Sequence, residues 1–221
     1  IHHPIVRETL RYLEIDFPIE ISTFSDIPSN SGLGSSSAFA VGLLHALYGL
    51  KYQMKTKNTL ATEASDIEIN ILGRTMGRQD HYASTYGNLN VLRFNEDGSV
   101  SVEPVFYRRE VGQQLTENLM MFWVGQKRDA SKLLKGQAAV TPLKLDVLTQ
   151  MCDFVPSMRF IVESGNNLDE IGAMLHQSWM LKRSLTTEIS NPTIDSYYEK
   201  ALEAGAIGGK LCGAGGGGFL M

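Results

Sequence analysis

Cysteine is nearly absent: Cys152 and Cys212 are the only two in 221 residues, far apart and without metal-ligand spacing. The expectation is of buried free thiols in a reducing, cytoplasmic compartment. Long apolar runs are missing too. The most apolar stretch, Ala38 to Leu50, contains His45 and is too short to cross a bilayer, and no segment resembles a signal peptide. Basic excess is also lacking. Twenty Lys and Arg against 24 Asp and Glu give a net charge of -4 and a pI near 5.7, so neither a nucleic acid nor an anionic membrane is an expected partner. There is no internal repeat, charge block or low-complexity linker. What remains is a 43% hydrophobic, 20% charged globular chain, long enough for one large domain or two modest ones. It starts at Ile1 and stops at Met221 within an apolar pattern, so both ends read as cut and a longer protein is expected.

Apolar periodicity predicts an amphipathic helix over Pro4–Leu13 and a one-sided strand over Ile19–Phe24. Ser35–Leu50 reads as a helix apolar nearly all round and hence buried. Thr59–Leu72 reads as another, with Leu60, Ala64, Ile67 and Ile71 on one face. A hairpin is expected from Asn88–Phe94 and Val100–Val105, joined through Asn95-Glu96-Asp97-Gly98. Leu119–Val124 reads as a short buried strand. Helices follow over about Leu143–Glu163, Leu168–Thr187 and Thr193–Ala204, and Pro192 sits where a first-turn proline is tolerated. Ala206–Leu211 and Phe219–Met221 read as strands around a glycine cluster. Without regular βα alternation the class is α+β, and a composition change near Gly112 suggests domains over residues 1–112 and 113–221.

The segment Pro28–Ala38 reads P-S-N-S-G-L-G-S-S-S-A. Gly32 and Gly34 let the main chain approach a ligand, while Ser35, Ser36 and Ser37 open the following helix with hydroxyls. The helix start adds free N–H donors and partial positive charge, which together suit a phosphate. A plain glycine turn and cap would explain a lone G-x-G. The flanking strand, the apolar helix and three consecutive hydroxyls favour an anion site instead. No lysine follows at the spacing of a Walker A loop.

This segment resembles the second signature motif of the GHMP kinases, the galacto-, homoserine, mevalonate and phosphomevalonate kinases. Lys210-Leu211-Cys212-Gly213-Ala214-Gly215-Gly216-Gly217-Gly218-Phe219 resembles the family's third motif, a glycine loop that supports the nucleotide loop. Residues 213–218 also satisfy G-x-G-x-x-G, but they lead into a strand rather than a helix, so a dinucleotide fingerprint is rejected. The resemblance implies a two-domain fold, ribosomal protein S5 domain 2-like in its N-terminal part and ferredoxin-like in its C-terminal part, truncated here at both ends. It implies ATP as cosubstrate and Gly32, Leu33, Gly34, Ser35, Ser36, Ser37, Gly213, Gly215 and Gly216 as nucleotide-binding residues.

Asp80, in Gly77-Arg78-Gln79-Asp80, follows two glycines that break the preceding helix and leave the acid on a loop. Taken alone it reads as a solvated carboxylate; beside the glycine motifs it resembles the catalytic aspartate of galactokinase and mevalonate kinase. Glu68, twelve positions earlier, falls within an apolar arc, where a carboxylate needs a partner. Glu63 at the rim and Asp66 outside the arc read as solvated. The resemblance makes Glu68 and Ser36 magnesium ligands, and a hydroxyl with a single carboxylate suits Mg2+.

Several segments resemble one branch more closely, the bacterial kinases of D-glycero-D-manno-heptose 7-phosphate, which serve surface polysaccharide synthesis. These are Glu68–Gly73, Gly77–Asn90, Phe94-Asn95, and Gln177-Ser178-Trp179 with Lys182 following. His81 stands where that branch suggests glutamine, and Asn88 where it suggests glycine. The implied reaction is phosphorylation of the anomeric hydroxyl of a sugar phosphate. Gln79, His81, Tyr86 and Arg128 are candidate substrate residues, although His81 reads more readily as a surface histidine, and Arg128 and the Lys182-Arg183 pair more readily as an ordinary charged helix face. A fucokinase-like or galactokinase-like enzyme is the nearest alternative. A nucleotide-binding sensor of the same fold is another, opposed by retention of both Glu68 and Asp80. Homo-oligomerisation is left open.

Overall fold

A computed structural model describes residues 1–27, 31–125 and 130–221, with the side chains of 130–132 outside that description. Two compact units form: Ile1–Ser29 with Gly34–Asn88, and Asn30–Leu33 with Leu89–Met221.

The described part of the first unit is helical. Helix α1 (Pro4–Tyr12) opens on a proline, and the His3 ring accepts from the Val6 N–H, an arrangement suited to a first turn that has no intrahelical donors to lose. Helix α2 (Ser35–Leu50) supplies the centre of the core, with Ala40, Val41, Leu43, Leu44, Leu47 and Tyr48 buried against Ile5, Leu10 and Leu13. The expectation of burial all round is corrected here. Ala38, Gly42, His45, Ala46, Gly49 and Leu50 are exposed, so the apolar count of α2 conceals a solvent face built mostly of small residues.

Helix α3 (Lys57–Asp66) is capped by the Thr56 hydroxyl, which accepts from the Thr59 N–H at 3.1 Å. It then passes into a π-turn over Ile67–Ile71, closed by Leu72 N–H donating to Ile67 C=O. That i to i+5 bond inserts one residue into the helical repeat. The apolar face expected to continue to Ile71 therefore ends early: Ile67 is buried and Ile71 is 48% exposed. Helix α4 (Gln79–Tyr86) follows and carries Asp80 in its first turn, correcting the expectation of a loop.

Residues 19–24 form no strand. Ile19 and Ile21 still pack on the core and Phe24 lies 98% exposed. Alternation selects which side faces inward, but a strand also needs a neighbour for its hydrogen bonds, and no described residue pairs with this segment.

The second unit holds the expected hairpin, β1 (Asn90–Phe94) antiparallel to β2 (Val100–Pro104), with Leu92 opposite Val102. Gly98 adopts φ +81° in its turn. Helix α5 (Arg109–Asn118), not expected from the sequence, contains Gly112. Strand β3 (Phe122–Trp123) precedes helices α6 (Ala130–Val140), α7 (Leu145–Ser164), α8 (Asp169–Arg183) and α9 (Pro192–Glu203), and β4 (Phe219–Leu220) pairs antiparallel with β3. Pro192 does occupy the first turn of α9, after an Asn191 cap that accepts from Thr193 and Ile194 N–H. Trp179, Ile189, Ile194 and Leu211 centre the core of this unit.

Three expectations fail in this unit. Leu119 to Trp123 are exposed rather than buried, with only Val124 inside. Ala206–Leu211 yields one bridge, Leu211 to Leu220, rather than a strand. The thiols are free, but Cys152 is exposed and Cys212 half-buried. The mixture of helices and short strands fits the α+β class, and no helix is long and apolar enough to cross a membrane among the described residues.

Candidate active site

The first unit gathers most of the acidic and hydroxyl candidates at one end of α2. Gly34 precedes that helix at φ +70°, and no side chain caps it. The first-turn N–H groups of Ser35, Ser36 and Ser37 are thus left without a capping side chain, as an anion site requires. A Cβ placed on Gly34 would lie 3.2 Å from Cβ and Cγ of Asp80. The glycine therefore does two things: it supplies a left-handed turn and it leaves room for Asp80 beside the helix mouth. The Ser37 hydroxyl is buried without a hydrogen-bond partner among the described residues.

Glu68 is fully buried, as its place in the apolar arc suggests, and its two oxygens are used differently. Oε1 accepts from the Ser36 hydroxyl at 2.5 Å and from Arg74 Nη1. Oε2 accepts from His81 Nε2 at 2.9 Å. Arg74 Nη1 also donates to Ser36 Oγ at 2.8 Å. Burial pushes the Glu68 carboxyl up, but hydrogen bonds from His81 and Ser36 and the nearby positive charge outweigh it, so the group lies below its ordinary value. Asp80 goes the other way. Burial holds it above the usual aspartate range, opposed by His81 and reinforced by the Glu68 charge. Two neighbouring carboxylates are thereby driven apart in basicity.

His81 is not a surface residue: it is fully buried, Nε2 on Glu68 and Nδ1 without a partner among the described residues. Nor are Glu63 and Asp66 merely solvated, since Glu63 accepts from the Tyr48 hydroxyl at 2.5 Å and Asp66 faces Arg78 at 3.4 Å. Gln79 is exposed at the start of α4. Tyr86 lies six residues beyond Asp80, roughly 9 Å along the helix, stacked on Tyr82 at 6.3 Å. Asn88 takes φ +56°, which explains why glycine suits that position. Arg128 lies outside the described residues, as does Pro28.

Arg74 is the residue that sequence reasoning missed. The signal available was the unmet need of Glu68 for a partner, together with a cation just past Gly73, six positions on. Gly73 at φ +65° turns the chain after the π-turn, and Arg74 N–H returns to Glu68 C=O at 3.0 Å.

The second unit holds the other glycine positions. Gly32 (φ +82°) and Gly213 (φ +70°) meet backbone to backbone: a Cβ on Gly213 would stand 2.7 Å from Gly32 Cα, and one on Gly32 would stand 2.7 Å from the Cys212 carbonyl oxygen. Leu33, next in chain, is half-buried. Gly215 packs on Ile189, and Gly216 N–H donates to Ile189 C=O at 2.8 Å. One side of the glycine run is thus tied to the α8–α9 connection and the other touches Gly32.

Lys182 and Arg183 are not a plain solvated pair. Arg183 bonds Asp195 at 2.9 Å, and Lys182 Nζ donates to the Gly213 carbonyl. Burial, with help from the Lys210 charge, pushes the Lys182 ammonium down to about 8, against an ordinary value of about 10.4. The unfolded chain keeps this proton to higher pH than the folded one, so folding stability gains as pH rises from about 8 towards 10.4. Urea denaturation across that range should show the wild type gaining on Lys182→Met; parallel curves would refute the assignment.

The matched family models are those of the GHMP kinases, the N terminal domain over residues 4–88 and the C terminal part over residues 158–221. The mevalonate kinase of Archaeoglobus fulgidus is 31% identical over 222 residues, covering 99% of this chain and 71% of that protein. The chain belongs to the GHMP kinase family. The D-glycero-alpha-D-manno-heptose 7-phosphate kinase of Campylobacter jejuni is 28% identical over 211 residues, 91% of this chain and 60% of that protein. For the fold, the crystal structure of a D-glycero-D-manno-heptose 1-phosphate kinase from Bacteroides thetaiotaomicron superposes with a TM-score of 0.67 at 22% identity, over 99% of this chain and 62% of its own. The chain thus spans about three fifths of both heptose-type relatives.

Among the described residues there is no cluster of three or more His, Cys, Asp or Glu placed for a metal. Adjacent hard oxygens on Ser36 and Glu68 do fit Mg2+, which favours one or two protein oxygens completed by waters and phosphates over an all-protein cage.

Proposed function

We propose that this chain carries the transfer machinery of an ATP- and magnesium-dependent sugar kinase. The observation that carries the reading is Asp80, half-buried and raised in basicity, packed on Gly34 at the start of α2 and next in sequence to the His81 that braces Glu68.

In this reading Gly34 to Ser37 hold the phosphates through first-turn N–H groups and hydroxyls. Gly32, Leu33, Gly213, Gly215 and Gly216 are carried as further nucleotide-binding residues of the second unit. Ser36 and Glu68 would hold Mg2+, which supplies positive charge to the transferring phosphoryl group. Asp80 receives the proton of the acceptor hydroxyl as its oxygen bonds to the γ-phosphorus; the bond to the bridging oxygen breaks and ADP leaves. A base of ordinary aspartate strength is less suited to this than one lifted by burial.

The acceptor favoured is a sugar phosphate, specifically the anomeric hydroxyl of D-glycero-D-manno-heptose 7-phosphate. Support comes from the Gly77–Asn90 and Gln177–Lys182 segments and from the named activity of the Campylobacter relative. Gln79, His81, Tyr86 and Arg128 are carried as substrate residues. The burial of His81 against Glu68 favours bracing over direct sugar contact for that residue.

The test incubates the intact protein with ATP, Mg2+ and a panel of heptose 7-phosphate, fucose, galactose and mevalonate, with products read by 31P NMR. An anomeric phosphate on the heptose alone is expected. Preferential turnover of another acceptor overturns the substrate, and nucleotide binding without product from any acceptor overturns the kinase.

A further inference from the structure

We propose that Arg74 is a built-in competitor for the magnesium position: its guanidinium holds the oxygens of Ser36 and Glu68 that a divalent cation would take, so a metal must displace it. This rests on the metal reading of Ser36 and Glu68 given above.

One nitrogen, Nη1, donates to both Ser36 Oγ and Glu68 Oε1. The competition is therefore for the same two oxygens. A divalent ion bonded to either oxygen at about 2.0–2.1 Å would sit against a guanidinium within hydrogen-bonding distance of it, two like charges in a buried setting. Glu68 is fully buried, so its carboxylate needs a cation beside it. Arg74 meets that need.

The arm is built to leave. The Arg74 side chain is 35% exposed while Glu68 is not exposed at all, so the guanidinium can turn into solvent without opening the core. Gly73 and Gly77 flank the segment, and a Cβ on either would meet nothing within 4 Å. The bracing of Oε2 by His81 does not depend on Arg74, so the carboxylate keeps its orientation during the exchange. A displaced guanidinium finds a bidentate partner in phosphate oxygens. Metal and nucleotide should accordingly bind with positive coupling, each relieving the cost of the other.

The experiment uses the intact protein without nucleotide and reads free Mn2+ by electron paramagnetic resonance, with melting temperature in parallel. Wild type, Arg74→Met, Arg74→Lys, Glu68→Gln and the double variant Glu68→Gln/Arg74→Met are compared, with Arg74→Gln in reserve should the methionine variant not fold. Arg74→Met should bind Mn2+ about tenfold more tightly than wild type, the equivalent of about 1.4 kcal/mol. Arg74→Lys should stay weak, because it restores a competing charge. Arg74→Met should melt lower than wild type without Mn2+ and gain more on its addition. The double variant should lose the tight site. Equal Mn2+ affinity in wild type and Arg74→Met, with Glu68→Gln weakening both, overturns the competition while leaving the metal at Glu68. Mn2+ binding indifferent to Glu68→Gln removes that metal reading, and this inference with it.

Discussion

Asp80→Asn should lower kcat by about 10²–10⁴-fold, the range for loss of a general base, while leaving nucleotide affinity near its wild-type value. Asparagine keeps the size and much of the hydrogen bonding of aspartate but cannot accept a proton at neutral pH. Stability should move in the opposite direction from activity. Burial holds the Asp80 carboxyl above its ordinary range, so the folded state keeps this proton to higher pH than the unfolded chain. Stability from this group therefore falls as pH rises through the window between the ordinary value, about 3.9, and the raised one. At neutral pH the ionised Asp80 costs stability, and the asparagine variant should melt at or above the wild-type temperature. The acid limb of the wild-type kcat/KM profile should report a group above the usual aspartate range, and the variant should lose that limb. Unimpaired turnover would remove Asp80 from the mechanism; a lowered melting temperature would show that it supports the fold instead.

Glu68→Leu should be the more damaging change to the fold. His81 is fully buried and would lose the acceptor of Nε2, at about 1–3 kcal/mol for a buried donor left unmade. Arg74, one-third exposed, can turn to water, and its loss is closer to the 0–1 kcal/mol of a surface pair. A total of about 1–4 kcal/mol follows from these ranges. The net position of Glu68 below its ordinary value means that its ionised form contributes stability above about pH 4.3. That contribution disappears as pH falls through the lowered value. The gap between wild type and Glu68→Leu in urea denaturation should hold from pH 7 to about 5 and close in stronger acid. The double variant Glu68→Leu/His81→Leu should recover part of the loss, because no orphaned donor remains. A pH-independent gap would show that lost packing, rather than the buried charge network, sets the cost.

These two carboxylates show how far the sequence carries. The need of Glu68 for a partner was legible because that signal is local, a carboxylate within an apolar arc; Asp80 stood out only through its resemblance to the family's aspartate beside the glycine motifs. The boundaries of α1, α2 and α9 and the hairpin of β1 with β2 were legible for the same reason, since caps, periodicity and turn residues act over a few positions. Residues 19–24 and 119–124 were misjudged because strand formation and burial depend on neighbours distant in sequence.

By itself the sequence determined the family, the glycine- and serine-rich start of α2, and the twelve-residue spacing between Glu68 and Asp80. Only the tertiary structure decided that Asp80 lies on Gly34, that His81 is buried as the brace of Glu68, and that Arg74 answers the Glu68 charge. The physical reason is one inserted residue. The π-turn at Ile67–Ile71 and the left-handed Gly73 redirect the chain by an amount that helical periodicity does not encode, and that redirection brings residues six and thirteen positions past Glu68 onto its two oxygens.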